Sequence, residues 1–435
     1  MSSDTVASAG TGPAADDSLI VWSEDFLRYR WGETHPMNPI RLALTMSLAH
    51  GLGVLDGVEM RAPASADDAL LETVHRREYI AAVRAAGEMA AGGSVAGFSP
   101  AVAERIFGLG SVDNPVFPGM HEASALLVGG TVAAADAIAS GSVRRAVNIG
   151  GGMHHALPAR ASGFCVYNDC AVAIAHLLER GFDRIAYIDI DAHHGDGVQN
   201  RFSGDPRVLT VSVHQHPATL WPGTGYPEDI GPETGHGTTA NVALPPNTPD
   251  RLWLRAFHAV VPSLVASFRP QVIVSQCGAD SHRADPLTDL GLTIDGQRAA
   301  ILAMRDLADT YCDGRWLAVG GGGYGVADVV PRIWTHLMAA ALGRDIDPST
   351  PTGDDWCDSA ALAARTVHPD FVTEVPAHTM SDGGDTDFHA WEGNWGQEAP
   401  DGISAHLHQS TDAAILATRS AVFPLHGLDP ADPRD

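Results

Sequence analysis

Lysine is absent from this chain: all 27 basic residues are arginine. That absence excludes the phosphate-binding P-loop, the pyridoxal Schiff base and the lysine-type aldolase, which need a lysine ammonium or amine. It also means that the chain cannot be switched by acetylation of its own lysines. Cysteine is scarce, and the five present, Cys165, Cys170, Cys277, Cys312 and Cys357, include no C-x-x-C pair. Thiolate zinc ribbons and dithiol redox motifs are thereby excluded, and the cysteines read as small buried hydrophobes in a reducing compartment. Positive charge is in deficit, with a formal net charge of -26. A grip on nucleic acid or an anionic membrane would need a basic face, so a cationic or neutral partner is expected instead. Residues 1–17 are small, polar and acidic, without the basic start and apolar stretch of a signal peptide. With no run of 18 apolar residues, the expected location is the cytoplasm.

What the chain does have is enough length, 435 residues at 45% hydrophobic, for a large α/β domain and an extension. Four short apolar runs, Ala146–Ile149, Ile185–Ile190, Val272–Ser275 and Trp316–Val319, end abruptly in glycine or polar residues and read as buried parallel strands. Helix-like stretches lie between them, at Asn168–Arg180, Arg251–Phe268 and Asp295–Tyr311. The alternation predicts a doubly wound sheet with helices on both faces, whose ligands bind beyond the carboxyl ends of the strands. After Gly343 the composition shifts to Asp, Pro, Thr and Gly, then to Trp391, Trp395 and a helix-like Ser410–Val422. The expected division is a flexible segment 1–17, a catalytic domain 18–345 and an extension 346–435 packed on it, with the tryptophans as anchors.

Each run ends in a reactive-looking cluster. The second leads into Asp189-Ile190-Asp191-Ala192-His193-His194-Gly195-Asp196-Gly197. Strand alternation places Asp189, Asp191 and His193 on one face, and two carboxylates with an imidazole make a divalent site of the kind that holds catalytic zinc or iron. A lone Asp-Gly would more often cap a turn; the whole string does not read that way. The first run leads through Gly150-Gly151-Gly152 to His154 and His155, a pair able to take a proton from water and return one to a leaving amine. The third leads into Gln276-Cys277-Gly278-Ala279-Asp280 and on to Asp285-Pro286, where either aspartate could be the last metal ligand. The fourth leads through Gly320 to Gly323 to Tyr324, which lacks the lysine of a phosphate cradle and instead presents a phenol to a developing oxyanion.

Together these motifs resemble the histone deacetylase family from about Ile20 to Gly343. Asp113-Asn114-Pro115-Val116-Phe117-Pro118-Gly119-Met120-His121 and Phe423-Pro424-Leu425-His426-Gly427-Leu428-Asp429 resemble, in particular, the bacterial acetoin utilization deacetylases. The resemblance implies the arginase/deacetylase fold, a single doubly wound eight-stranded parallel sheet flanked by helices. It implies Asp191, His193 and Asp285 as ligands of Zn2+, with Fe2+ as the alternative, and His154 and His155 as the catalytic pair oriented by Asp189 and Asp196. Tyr324 would complete the oxyanion site, and Asp113 would hold substrate backbone at the rim. Gly163, Phe164, Trp221 and Leu292 would line the acyl-lysine channel, with Trp221 where many relatives have phenylalanine. A structural K+ would sit among Asp189, Asp191, His193, Ser212 and Val213.

The implied reaction is hydrolysis of N6-acetyl-lysine in a protein, such as an acetylated metabolic enzyme of the acetyl-CoA synthetase kind, to lysine and acetate. An acetylpolyamine amidohydrolase shares the same chemistry and an acidic mouth. An arginase-like ureohydrolase would need further aspartates for a second manganese. A catalytically silent scaffold or small-molecule sensor of the same fold would have no reason to carry the full set of ligands, histidines and tyrosine.

Overall fold

Eight strands pair into one sheet in the order β2-β1-β3-β8-β7-β4-β5-β6. They are β1 Ser18–Val21, β2 Met60–Arg61, β3 Arg145–Asn148, β4 Ile185–Asp189, β5 Val208–Gln215, β6 Thr239–Leu244, β7 Val272–Gln276 and β8 Trp316–Val319, and every pairing is parallel. The computed structural model describes residues 17–32, 35–367, 376–393, 399 and 402–435. All of the expected segment 1–17 except Asp17, and Trp395 of the extension, lie outside the described residues.

Burial on both faces explains why β4, β7 and β8 read as continuous apolar runs; every residue in them is buried. Helices complete the layers, and local chemistry sets their ends. Asn168 accepts from Ala171 N to cap helix Asp169–Glu179, and Thr293 caps Ile294–Tyr311 in the same way. Arg269, in the left-handed region at φ 54°, stops Asp250–Phe268. Among the described residues, Met120–Ala139 is the one helix long and apolar enough to cross a membrane. It lies against helix Asp169–Glu179 and β3 with most of that stretch buried.

The register does the positioning. Asn148 is level with Val319, Val319 with Gln276, Gln276 with Asp189, and Asp189 with Ser212. The chain leaves β3, β8, β7 and β4 from adjacent points on one edge, so the four sequence clusters meet in one crevice, as expected where chain connections diverge in a doubly wound sheet.

Two described helices beyond residue 345 lie against this body. Helix Asp354–Val367 meets Ile40–Gly51, with Trp356 Nε1 donating to Leu44 O at 3.1 Å. Helix Ala405–Val422 packs on Asp250–Phe268 and β6, and the Arg419 guanidinium covers the Trp391 ring at 4.5 Å.

Candidate active site

The glycine turn after β3 aims the two histidines. Gly152 adopts φ 98°, and a Cβ there would meet the Gly320 carbonyl, so two glycine loops touch where no side chain fits. Asp169, fully buried, accepts from Gly152 N at 3.0 Å, Met153 N at 2.7 Å and Thr131 Oγ1 at 2.5 Å. From that fixed turn His154 Nδ1 meets Asp189 Oδ2 and His155 Nδ1 meets Asp196 Oδ1, each at 2.7 Å, while the two Nε2 atoms stand 2.9 Å apart. Burial works against charge on His154, but Asp189 and Asp191 outweigh it and hold the imidazole up at about 9. Burial and the neighbouring His154 charge push His155 down to about 4. Between the two rings, positive charge is therefore favoured on His154 and disfavoured on His155.

Beside the pair, Asp191, His193 and Asp280 offer ligand atoms that all lie within 4.8 Å of one another. His193 Nδ1 is 3.1 Å from Asp191 Oδ1 and 3.0 Å from Asp280 Oδ2. Burial and the adjacent Asp191 charge push Asp280 up to about 6, the mark of carboxylates crowded where a cation would relieve them. Two buried carboxylates and an imidazole suit a divalent ion of the zinc or iron type. Asp285, expected as the third ligand, stands outside this trio. Its oxygens accept from Tyr324 N at 2.8 Å and Leu287 N at 2.9 Å, so it supports the tyrosine loop, and Asp280 takes the place assigned to it.

A pocket of about 300 Å³ opens above, lined by Asp113, His155, Gly163, Phe164, His193, Leu220, Trp221, Leu287 and Tyr324. It brings together Asp113, Gly163, Phe164 and Trp221 with the chemical groups, as expected. Leu292 is corrected: it is 1% exposed in the core, and Leu287 faces the pocket in its stead. Trp221 packs edge-on over His155 at 4.6 Å between ring centroids, and a Cβ on Gly163 would touch both rings. Phe164 holds φ 64°, rare for an aromatic residue, and the Tyr29 hydroxyl fixes its carbonyl at 2.8 Å. That strain keeps the ring against Tyr324, 5.6 Å away.

Three supporting residues went unassigned in the sequence. Gln276 Nε2 donates to Asp191 Oδ2 at 2.7 Å, Asp169 secures the histidine turn, and buried Arg41 donates to Gly323 O at 2.9 Å. Gln276 was detectable as the first polar residue after an apolar run; Arg41 sits in an ordinary helical pattern with no such signal.

A pair of facing imidazoles and a candidate cation site of two carboxylates and an imidazole thus meet at one pocket on an eight-stranded parallel sheet. The histone deacetylase domain matches residues 35–341, and the chain belongs to the histone deacetylase family. It is AcuC-like within that family. It is 42% identical to acetoin utilization protein AcuC of Bacillus subtilis over 379 residues, 84% of this chain and 96% of that protein. With AcuC of Staphylococcus xylosus it shares 39% identity over 333 residues, 77% of this chain and 83% of that protein. Among solved structures, a histone deacetylase homologue complexed with SAHA superposes with a TM-score of 0.75 at 28% identity, covering 92% of this chain and 99% of that one. The homologue from Aquifex aeolicus gives 0.74 at 28%, covering 92% of this chain and all of that one.

Proposed function

We propose that this chain is a zinc-dependent protein lysine deacetylase that hydrolyses N6-acetyl-lysine to lysine and acetate in the cytoplasm. The observation that carries the reading is the His154–His155 pair, each ring backed by its own carboxylate, beside the Asp191, His193 and Asp280 trio on an aromatic-walled pocket. A divalent ion held by that trio would polarise the acetyl carbonyl and make a water more acidic.

The chain's own groups do the rest. Phe164 and Trp221 flank the lysine stem, and Asp113 holds the substrate backbone at the rim. His155, neutral and oriented by Asp196, takes a proton from water as its oxygen bonds to the acetyl carbon. The Tyr324 hydroxyl donates to the carbonyl oxygen as negative charge gathers there. The C–N bond then breaks, and the proton on the imidazole pair goes to the departing amine. His154, oriented by Asp189, stands against His155 and shares the positive charge that the pair takes on without leaving its place. The expected potassium ion would lie behind this site, where Asp189 and Ser212 are register partners and oxygen donors suit a hard cation. The substrate we favour is an acetylated metabolic enzyme, such as an acetyl-CoA synthetase, on the strength of the AcuC likeness.

The test is turnover of the metal-defined protein on acetyl-lysine peptides and on acetylated polyamines, with a hydroxamate chelator as control. Chelator-sensitive release of acetate from the peptides is the expected result. Preference for the small amines would move the substrate to polyamines, and a protein that takes up no stoichiometric divalent ion would sink the enzymatic reading altogether.

A further inference from the structure

Asp382 belongs to the segment 376–393, well past the matched domain, yet its carboxylate is inserted between the loop that follows β7 and the helix Val329–Ala341 that follows the tyrosine loop. One oxygen accepts from His282 Nε2 at 2.7 Å and from Ile294 N at 3.2 Å; the other accepts from Arg332 Nη1 at 2.7 Å. The three groups are almost wholly enclosed, with the His282, Asp382 and Arg332 side chains 4%, 10% and 1% exposed. His282 is committed to this contact in one tautomer. Its Nδ1 accepts from Ala284 N at 3.1 Å, so the ring proton sits on Nε2 and points at Asp382.

Each partner leads to a different part of the chemistry. His282 lies between Asp280 and Asp285, and its carbonyl accepts from Asp285 N at 2.9 Å. From there Asp285 reaches Tyr324 N, and Leu287 follows into the pocket wall. Arg332 stands one helical turn beyond the tyrosine loop, its other arm on Asp328 Oδ2 at 2.6 Å, and Asp328 Oδ1 accepts from Ala377 N at 2.8 Å. The segment is pinned again by Asp295, which accepts from Ser381 Oγ, Asp382 N and Gly384 N between 2.8 and 3.0 Å. A buried carboxylate with three donors is a stiff joint, because losing it would strand a histidine N–H and one guanidinium N–H away from water.

We propose that Asp382 is a positioning residue for the deacetylase reaction: through His282 and Arg332 it holds Asp280 and Tyr324 in mutual register, so that the extension forms part of the active site's outer support. This rests on the functional reading above for the roles of Asp280 and Tyr324. A tether that merely anchored the extension could sit anywhere along its length, as the Arg251 contacts with Asp387 O and Asp385 do. Asp382 instead meets the loop that carries Asp280 and Asp285 and, through Arg332, the helix that leads out of the tyrosine loop.

The experiment compares Asp382→Ala and the shape-conserving Asp382→Asn with Arg251→Ala, which loosens the same segment away from the site. For the full chain it measures zinc affinity by competition with a chromogenic chelator, kcat and KM on an acetyl-lysine peptide, and amide exchange in residues 278–287 and 320–325. Asp382→Ala should weaken zinc binding by about tenfold to a hundredfold, the usual scale for an outer partner of a metal ligand. It should lower kcat by at least about tenfold with KM changed by less than about threefold, and speed exchange in both loops. Asp382→Asn should shift each readout the same way by less, and Arg251→Ala should leave zinc affinity and kcat within about twofold. In a His282→Ala background, Asp382→Ala should add little to the loss of zinc affinity, because the two residues act as one. Zinc affinity, kcat and loop exchange in the Asp382 variants equal to those of Arg251→Ala would overturn the proposal. Should the unaltered protein neither take up zinc nor release acetate, the functional reading fails, while loop exchange still decides whether Asp382 joins the two loops.

Discussion

At the scale of single residues, the two aspartates that follow β7 have separable jobs. Asp280→Ala should abolish stoichiometric zinc uptake, measured by metal analysis after dialysis, because it removes one of three converging donors. Asp285→Ala should keep the ion and slow turnover, since Asp285 holds the backbone of Tyr324. Retained zinc in the first variant, or loss of it in the second, would reverse the assignment. Tyr324→Phe and His155→Ala should each cut turnover by about a hundredfold or more, the scale for losing an oxyanion donor or an acid–base group; near-normal rates in either would remove that group from the mechanism. Much of the site was legible because strands and glycine turns leave few options: tandem histidines after three glycines have one crevice to enter, and the acid-rich string after the second run leaves the sheet at its carboxyl edge. Strand alternation was the wrong reason for Asp191 and His193, because β4 ends at Asp189 and both lie past it. The loop after Ala279 has no period to count by. There the resemblance placed the ligand and the channel leucine five positions too far along, at Asp285 and Leu292 rather than Asp280 and Leu287. Gln276 stood in view in the third cluster, but its role could not be read there, because bonding to Asp191 is a tertiary property.

At the scale of elements, the same distinction separates the strands that could be read from those that could not. β3, β4, β7 and β8 announce themselves as apolar runs cut off by glycine or acid. β5 carries Thr210, Ser212 and His214 in alternation, the pattern of a strand with one wet face, yet all eight of its residues are buried. The buried polar groups are satisfied locally, as in Ser212 Oγ with His214 Nδ1 at 2.8 Å, and such pairing is invisible to hydropathy. β1 and β2 are too short, at four and two residues, to show any period. What the elements jointly create is the meeting of the two glycine loops, and it can be tested at Gly152. Gly152→Ala must place a Cβ at φ 98° against the Gly320 backbone. It should cost about 2 kcal/mol in urea unfolding and depress kcat well beyond that loss of stability, because the histidine turn and the tyrosine loop move together. A variant with wild-type kcat would mean that the loops are independent.

At the scale of the whole molecule, the response to acid is shared among groups that pull in opposite directions. Burial works against charge on His154, but the Asp189 and Asp191 charges hold it up to about 9, so its protonation in the native state resists loss of stability as pH falls. His75 pulls the other way. Burial pushes it down to about 4, and its hydrogen bonds explain why the neutral form is required: Nδ1–H faces Leu157 O at 3.2 Å, while Nε2 accepts from Asn168 N at 2.9 Å. A second ring proton would set two donors against each other. Since the unfolded chain takes up that proton near 6.5 and the native state only near 4, the unfolded state binds more protons throughout that window. The stability His75 contributes is complete above 6.5 and is lost as pH falls toward 4, by about 1.4 kcal/mol per pH unit and about 3 kcal/mol in all. His336, pushed down to about 4 by burial with Nε2 on Met380 O at 2.8 Å, has the same sign. The opposing groups, and the relief of a net charge of -26 as carboxylates protonate, cancel when each variant is compared with the parent at the same pH. Urea unfolding of the parent and of His75→Gln, at half-unit steps from pH 7 to 4.5 in 0.15 M salt, should give a difference that is constant above 6.5 and shrinks steadily below it. A constant difference at every pH would mean that His75 is not held neutral by its surroundings, which would leave buried His336 as the next group to test by the same comparison.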